Sequence, residues 1–216
     1  IEELRTNLKQ LIFDMNEMSS QHDLGDIDAV IPTHTYNNAF KTMAEGINTM
    51  VANHIRVKKL AMEVVAQFGK GNFDAPLAQL PGKKKFINDT IEELRTNLKN
   101  VEHETMSLIE GAKEGILTKR ADDAHFQGGW KQIVGGVNTM LDIIYAAVVT
   151  DGVGALVRLS EGNFSQSITT TYHNDYGVFK DAVNTLTEIL NNFIADAVAM
   201  EANAKRGDFQ TQIDIS

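Results

Sequence analysis

The nine residues IEELRTNLK occur twice in this chain, at positions 1–9 and again at positions 91–99. The two copies lie 90 residues apart, and a shorter motif, Gly-x-Φ-x-x-x-Φ with Φ apolar, recurs about every 45 residues. Its five glycines follow one another at steps of 46, 44, 47 and 45 residues. A fixed period of this size is typical of a serial array of one supersecondary unit.

Each copy of the motif supplies a glycine and two apolar residues, and we predict that it forms an anchored connector between two helices. Glycine ends a helix readily because it adopts left-handed backbone angles at little cost. About a dozen residues follow each glycine, enough to run back along the helix and start the next one parallel to it. The motif residues are Gly25, Ile27 and Ile31; Gly71, Phe73 and Leu77; Gly115, Leu117 and Ala121; Gly162, Phe164 and Ile168; and Gly207, Phe209 and Ile213.

The helices between the connectors carry apolar residues at alternating steps of three and four. This heptad pattern predicts coiled-coil packing. The pattern from Ile87 to Ala112 crosses a repeat boundary, so the second helix of one unit is expected to continue as the first helix of the next. The predicted bundle-core residues are Leu4, Leu8, Leu11, Met43, Ile47, Ile91, Leu94, Leu98, Val137, Met140, Val183, Leu186 and Leu190. Among them Ile47, Ile91, Val137 and Val183 mark one position of successive repeats.

Two parallel helices with one apolar seam each cannot enclose a core, so a second copy of the chain is expected to complete it. The predicted fold is all-α, with tandem parallel four-helix coiled-coil bundles formed by a homodimer and stacked into a rod. The expected divisions are 1–7, the end of a truncated unit; the units 8–54 (divergent), 55–100, 101–146 (divergent) and 147–192; and 193–216, the start of a further unit. We therefore expect a piece of a longer protein.

Composition excludes several partners. The formal net charge of −9 argues against nucleic acids and anionic membranes, because both require clustered Lys and Arg. No run of eighteen apolar residues occurs, so we expect no membrane insertion within this stretch. The absence of cysteine excludes disulfide and thiolate chemistry.

No arrangement of polar residues indicates catalysis or ligand binding. None of the six histidines has a second ligand at a zinc spacing, and His103-Glu104 lacks the second histidine of a His-Glu-x-x-His site. The paired carboxylates Glu2-Glu3 and Glu92-Glu93 are expected on exposed helix faces rather than in acid–base catalysis. We predict no catalytic residue, no metal site and no cofactor.

With these features the chain resembles the HAMP domain, the linker module of bacterial histidine kinases, adenylyl cyclases, methyl-accepting chemotaxis proteins and phosphatases. The resemblance rests on the helix–connector–helix repeat and covers nearly the whole chain. Residues 130–140 look like the second helix of HAMP arrays in chemoreceptors, and Asp175-Tyr176-Gly177 is similar to the acid-x-glycine signature that opens that helix.

The resemblance implies a non-enzymatic signal relay. It implies an upstream sensor or transmembrane segment and a downstream output domain in the same chain, and a cytoplasmic location in an inner-membrane-anchored receptor or a soluble one. Two alternatives stay open. A helical-repeat scaffold has a similar period but packs antiparallel helices within a monomer, and a cofactor pocket inside a bundle would place His or carboxylate residues on the seams.

Overall fold

The computed structural model describes residues 1–208, so Phe209 and Ile213 of the fifth motif lie outside the described residues. Within this range every regular element is helical, which confirms the all-α prediction. A π-helical segment, Tyr145–Val153, joins α4 to α5, and short 3₁₀ turns at Thr33–Thr35 and Gly82–Lys84 precede α2 and α3. The helices are α1 Glu2–Asp23, α2 Asn38–Gly69, α3 Lys85–Lys113, α4 Gly128–Ile144, α5 Gly154–Ser160 and α6 Asn174–Lys205.

The motif glycines end the helices, as expected. Their φ angles are positive, which is the left-handed conformation that glycine adopts without steric cost. The values are 100° at Gly25, 82° at Gly71, 77° at Gly115, 78° at Gly162 and 81° at Gly207.

A second set of left-handed residues begins the helices that follow the connectors. Their φ angles are 52° at Asn38, 58° at Gly82, 53° at Gly128 and 51° at Asn174. Asparagine is the non-glycine residue that most readily tolerates this region, together with aspartate. Each of the four connectors that lie wholly within the described residues is therefore bounded by a left-handed residue at each end, which fixes where it leaves one helix and enters the next.

The described residues form two compact bodies, one over Ile1–Lys99 and one that begins at Asn100, and each contains two apolar clusters. The clusters of the first body gather around Ile31 and Ala75. The clusters of the second body gather around Ala121 and Ile168. All four named residues belong to connectors, so each core consists of a connector packed against helices.

Burial within one chain divides the predicted bundle-core residues into three groups. The buried ones are Leu11, Ile91 and Val183, and the half-buried ones are Ile47, Leu94, Leu98, Val137 and Leu190. The exposed ones are Leu4, Leu8, Met43, Met140 and Leu186. A single chain thus leaves predicted seam residues of α1, α2, α4 and α6 exposed, whereas those of α3 are buried or half-buried.

The helical run Gly128–Ser160 is long and apolar enough to cross a membrane by length and composition. Its polar residues Asn138, Asp142 and Asp151 nevertheless bind groups of the neighbouring connectors. These contacts are those of a bundle helix. The absence of membrane insertion stays a prediction.

Candidate functional site

The most regular polar feature is an asparagine clamp, in which one asparagine of the second helix binds both backbone groups of a connector residue. The Ile31 N–H donates to Asn48 Oδ1 at 3.0 Å, and Asn48 Nδ2 donates to the Ile31 carbonyl at 2.9 Å. Asn138 binds Ala121 in the same way, at 2.8 and 2.9 Å. The fourth repeat has the same arrangement, with Asn184 on Ile168 at 2.8 and 3.1 Å.

In the second repeat the clamp spans two connector residues. Asn88 Oδ1 accepts from the Leu80 N–H at 2.9 Å, and Asn88 Nδ2 donates to the Ala78 carbonyl at 2.9 Å. Asn88 is 2% exposed. Counted from the left-handed residue that begins each helical run, Ile91 has the position of Ile47, and Asn88 lies about one helical turn before the position of Asn48.

The clamp satisfies backbone groups that no helix or strand pairs. A side-chain amide offers one acceptor and two donors, so it can pair with the donor and the acceptor of the same peptide chain. The residues predicted from the sequence did not include these asparagines. The signal was present as an apolar-Asn-Thr triplet in three repeats, at Ile47–Thr49, Val137–Thr139 and Val183–Thr185.

The second apolar residue of the motif lies deeper than the first. Ile31, Ala121 and Ile168 are 1%, 7% and 5% exposed, and each is also the residue that the asparagine clamp binds. In the second repeat Leu77 is half-buried, and Ala75 takes the deep position at 3% exposed.

The first apolar residues of the motif divide by size. The aromatic ones, Phe73 and Phe164, are half-buried. The aliphatic ones, Ile27 and Leu117, are exposed in the single chain.

A tyrosine–aspartate bridge ties the end of the connector to the first helix in two repeats. The Tyr36 hydroxyl donates to Asp14 Oδ2 at 2.5 Å, and the Tyr172 hydroxyl donates to Asp151 Oδ2 at 2.8 Å. Burial, assisted by the hydrogen bond to Asp14, raises the pKa of Tyr36 to about 12. Burial and Asp151 likewise raise the pKa of Tyr172. Both side chains therefore stay protonated donors at neutral pH.

The third repeat replaces this bridge. Phe126, buried at 4% exposed, stands where a tyrosine would, and it has no hydroxyl to donate. Glu104 lies eleven residues before the motif glycine of its repeat, as Asp14 and Asp151 do in theirs. Its carboxylate instead accepts a hydrogen bond from the Asp122 N–H at 2.9 Å. Connector and first helix are still joined, by a carboxylate–backbone bond.

An arginine binds the second connector through hydrogen bonds to its backbone carbonyls. Arg95 donates to the Phe73 carbonyl and, at 2.7 Å, to the Ala75 carbonyl, while its Nε pairs with Glu92 at 2.8 Å. The guanidinium carbon also lies 4.9 Å from the centre of the Phe68 ring. Arg95 belongs to the second copy of IEELRTNLK, and its side chain is 13% exposed.

The first copy places the same arginine differently. Arg5 pairs with Glu2 at 3.4 Å, and its side chain is 62% exposed. A connector precedes Arg95, whereas these 216 residues include no connector before Arg5, so the two arginines are described in different surroundings.

The described residues contain no group of three or more His, Asp or Glu side chains placed to hold a metal ion. The site consists of connectors that are bonded to the second helix in four repeats and to the first helix in three, next to apolar seams that one chain leaves partly exposed.

Two family models match the chain. Residues 57–99 match HAMP N-terminal domain 3, and residues 125–192 match the HAMP domain. Over 126 residues the chain is 35% identical to the methyl-accepting chemotaxis protein McpB of Pseudomonas aeruginosa, a match that covers 57% of this chain and 19% of that protein. The chain thus spans about a fifth of the length of this curated relative.

Proposed function

We propose, from the premise that this chain is a HAMP-containing, chemoreceptor-like protein, that it is a non-enzymatic relay carrying a conformational change from an upstream sensor to a downstream cytoplasmic output domain. The observation that carries the proposal is the asparagine clamp on a connector in each of the four complete repeats. The clamp bonds the connector to the second helix, and in three repeats Asp14, Glu104 or Asp151 bonds it to the first helix as well. Displacement of the first helix is therefore transmitted through the connector to the second.

The exposed portion of the seams supports a parallel homodimer as the working form. Met43 on α2 and Leu186 on α6 are 51% and 43% exposed, although both lie on heptad seams. In the first compact body an apolar groove of about 520 Å³ is lined by Ile27, Val51 and Leu60. A second copy of this chain would cover these surfaces with the same seam, as two-fold symmetry requires.

Adaptable side chains support two packings of similar free energy, which a relay needs. Met43, Met50 and Met140 are unbranched and can fill gaps of different shape. All three are more than half exposed in the single chain, on the surface that a partner copy would cover. A modest input could then shift the population between packings.

Location and partners follow from the same premise. We place the chain in the cytoplasm, in a receptor anchored in the inner membrane, and assign the run Gly128–Ser160 to the bundles rather than to the bilayer. The sensor and the output domain belong to the same polypeptide. The relative that matches this chain is a methyl-accepting chemotaxis protein, which favours an output of that kind.

Cysteine cross-linking tests the relay directly, in a receptor whose cysteines outside these cysteine-free 216 residues have been replaced by serine. Met43→Cys and Leu186→Cys would be placed singly in the full-length receptor and oxidised with and without stimulus. We expect each to cross-link to its own copy, at a rate that differs between the two signalling states. Gln79→Cys, on an exposed connector residue, serves as the matched control and should cross-link poorly in both. Identical rates in both states at both seam positions would refute the relay.

A further inference from the structure

One helical run contains a residue more than the others. The distance from the left-handed residue that begins the run to the left-handed glycine that ends it is 33 positions in three repeats, namely 38 to 71, 82 to 115 and 174 to 207. From Gly128 to Gly162 it is 34 positions. The third repeat therefore passes to the fourth through a helix with one surplus residue.

The same run contains the π-helical segment Tyr145–Val153. The other helical runs of the described residues are α-helical or begin with a 3₁₀ turn. A π-helix forms when one residue is inserted into an α-helix, because the backbone hydrogen bonds then span five residues instead of four. In an uninterrupted α-helix the surplus residue would turn everything after it by about 100° around the axis. The π segment absorbs this rotation.

Contacts on both sides hold the segment in phase with its connectors. Before it, Asn138 clamps Ala121, and Asp142 accepts from Arg120 Nε at 2.7 Å. Near its end, Asp151 accepts from the Tyr172 hydroxyl, and it stands eleven residues before its glycine as Asp14 does. The surplus residue thus lies between Asp142 and Asp151.

Close packing fixes the end of the segment. A Cβ atom on Gly152 would collide with Phe179 Cζ, so the aromatic ring of this α6 residue packs directly against the backbone there. Ala147 is also buried, at 1% exposed. Between these two residues Val148 and Thr150 are exposed, so packing does not fix the positions of their side chains.

We propose that Tyr145–Val153 is a register joint between the third and fourth repeats. The surplus residue can occupy alternative positions within the segment, since each shift exchanges one backbone hydrogen bond for another. The residues between the two positions then rotate while the asparagine clamp before the segment and the tyrosine–aspartate bridge at its end stay in place. The joint rests on the relay proposed above and gives it one adjustable element.

Single-residue deletions in the whole chain test the joint. Deleting Val148 restores the 33-position spacing and should leave an uninterrupted α-helix. We expect a thermal midpoint within about 3 °C of the unaltered chain and amide hydrogen exchange over 145–153 slowed by about tenfold. Deleting Ala146, an exposed residue of the same segment, should give the same result, because the joint does not depend on which residue is surplus.

Deletion of Lys58, an exposed residue of α2, is the matched control. That run has no surplus residue, so the deletion turns Val64 and Phe68 away from Ala75, and the midpoint should fall by more than about 5 °C. The joint is overturned if both segment deletions destabilise as much as the Lys58 deletion, or if exchange over 145–153 does not slow.

A measurement of signalling output distinguishes failure of the register joint from failure of the relay. In the full-length receptor the Val148 deletion should reduce the stimulus-dependent change in output by about tenfold or more. An undiminished response would contradict the role of the joint in signalling, even if stability and exchange behave as expected. Failure of the relay itself would be seen in a different experiment, as identical cross-linking of Met43→Cys and Leu186→Cys in both signalling states of receptors without the deletion.

Discussion

A single asparagine side chain in each repeat stabilises the packing of the connector against the second helix. The amide of Asn48 replaces the hydrogen bonds that the Ile31 backbone would otherwise make with water, and Ile31 itself is only 1% exposed. A buried backbone group left without a partner costs about 1–3 kcal/mol, more than a typical hydrogen bond contributes when made. The clamp therefore contributes most to the free energy of unfolding where the connector backbone is most buried.

Replacing Asn48 with alanine should lower the free energy of unfolding by about 2 kcal/mol, because a donor and an acceptor at Ile31 lose their partner. Urea denaturation measures the change. Asn53→Ala, at an exposed position of the same helix, is the control and should change the free energy by less than about 0.5 kcal/mol. Equal effects of the two variants would mean that the clamp does not stabilise the connector.

The left-handed start of α6 makes a second residue-level prediction. Asn174 has φ 51°, so Asn174→Ala should cost about 1–2 kcal/mol, the penalty for placing a Cβ in this region. Asn174→Gly should be nearly neutral, as the glycines that stand at the same position in two other repeats imply. Thermal unfolding compares the two variants. An alanine variant as stable as the glycine variant would rule out the conformational explanation.

Tyr36 predicts a difference at alkaline pH. The folded state holds the Tyr36 proton up to a pKa of about 12, while the unfolded state releases it near 10. Its contribution to stability is therefore complete below pH 10 and is lost as the pH rises towards 12. Unfolding free energies measured across this range should fall more steeply for the unaltered chain than for Tyr36→Phe. Parallel curves would show that Tyr36 ionises as in the unfolded chain.

At the scale of the element, the connector is held by different groups in different repeats. In the first and fourth repeats the connector is held by the tyrosine–aspartate bridge. In the third it is held by the hydrogen bond from a backbone N–H to Glu104, and in the second by hydrogen bonds from Arg95. The asparagine clamp is the feature they share. The four repeats thus share the clamp, whereas the other side chains that bind the connector differ between them, apart from the bridge common to the first and fourth.

The duplicated IEELRTNLK provides a matched pair of arginine variants. Arg95→Ala should cost about 2 kcal/mol, because two connector carbonyls lose a charged donor in a mostly buried place. Arg5→Ala, in the same nine-residue sequence, removes an exposed ion pair and should change stability by less than about 0.5 kcal/mol. Chemical denaturation measures both. Similar losses would show that the arginine acts through helix propensity rather than through the connector.

Sequence predicted the elements better than the contacts between them. Glycine spacing indicated the helix ends because a left-handed residue is a local requirement, and the heptad pattern indicated the helices because it repeats along one chain. The roles of Asn88 and Arg95 depend on which backbone group lies opposite, a tertiary fact that no local pattern contains. The π segment was hidden for another reason, since one surplus residue hardly changes a period of about 45.

At the scale of the whole molecule, a relay and a helical-repeat scaffold differ in how they would cover the seams. Exposed residues such as Met43, Met140 and Leu186 share the spacing of buried residues such as Leu11 and Val183, so the pattern extends over surface that one chain does not cover. A helical-repeat scaffold would bury its seams within a monomer. A relay of the kind proposed requires two chains, because only a shared core can repack when one pair of helices is displaced.

Sedimentation equilibrium of this 216-residue chain at micromolar concentration is the most direct test. We predict a mass twice the 23.8 kDa of one chain, since two copies are needed to cover the seams. A stable species with the mass of a single chain across the micromolar range would contradict the shared core.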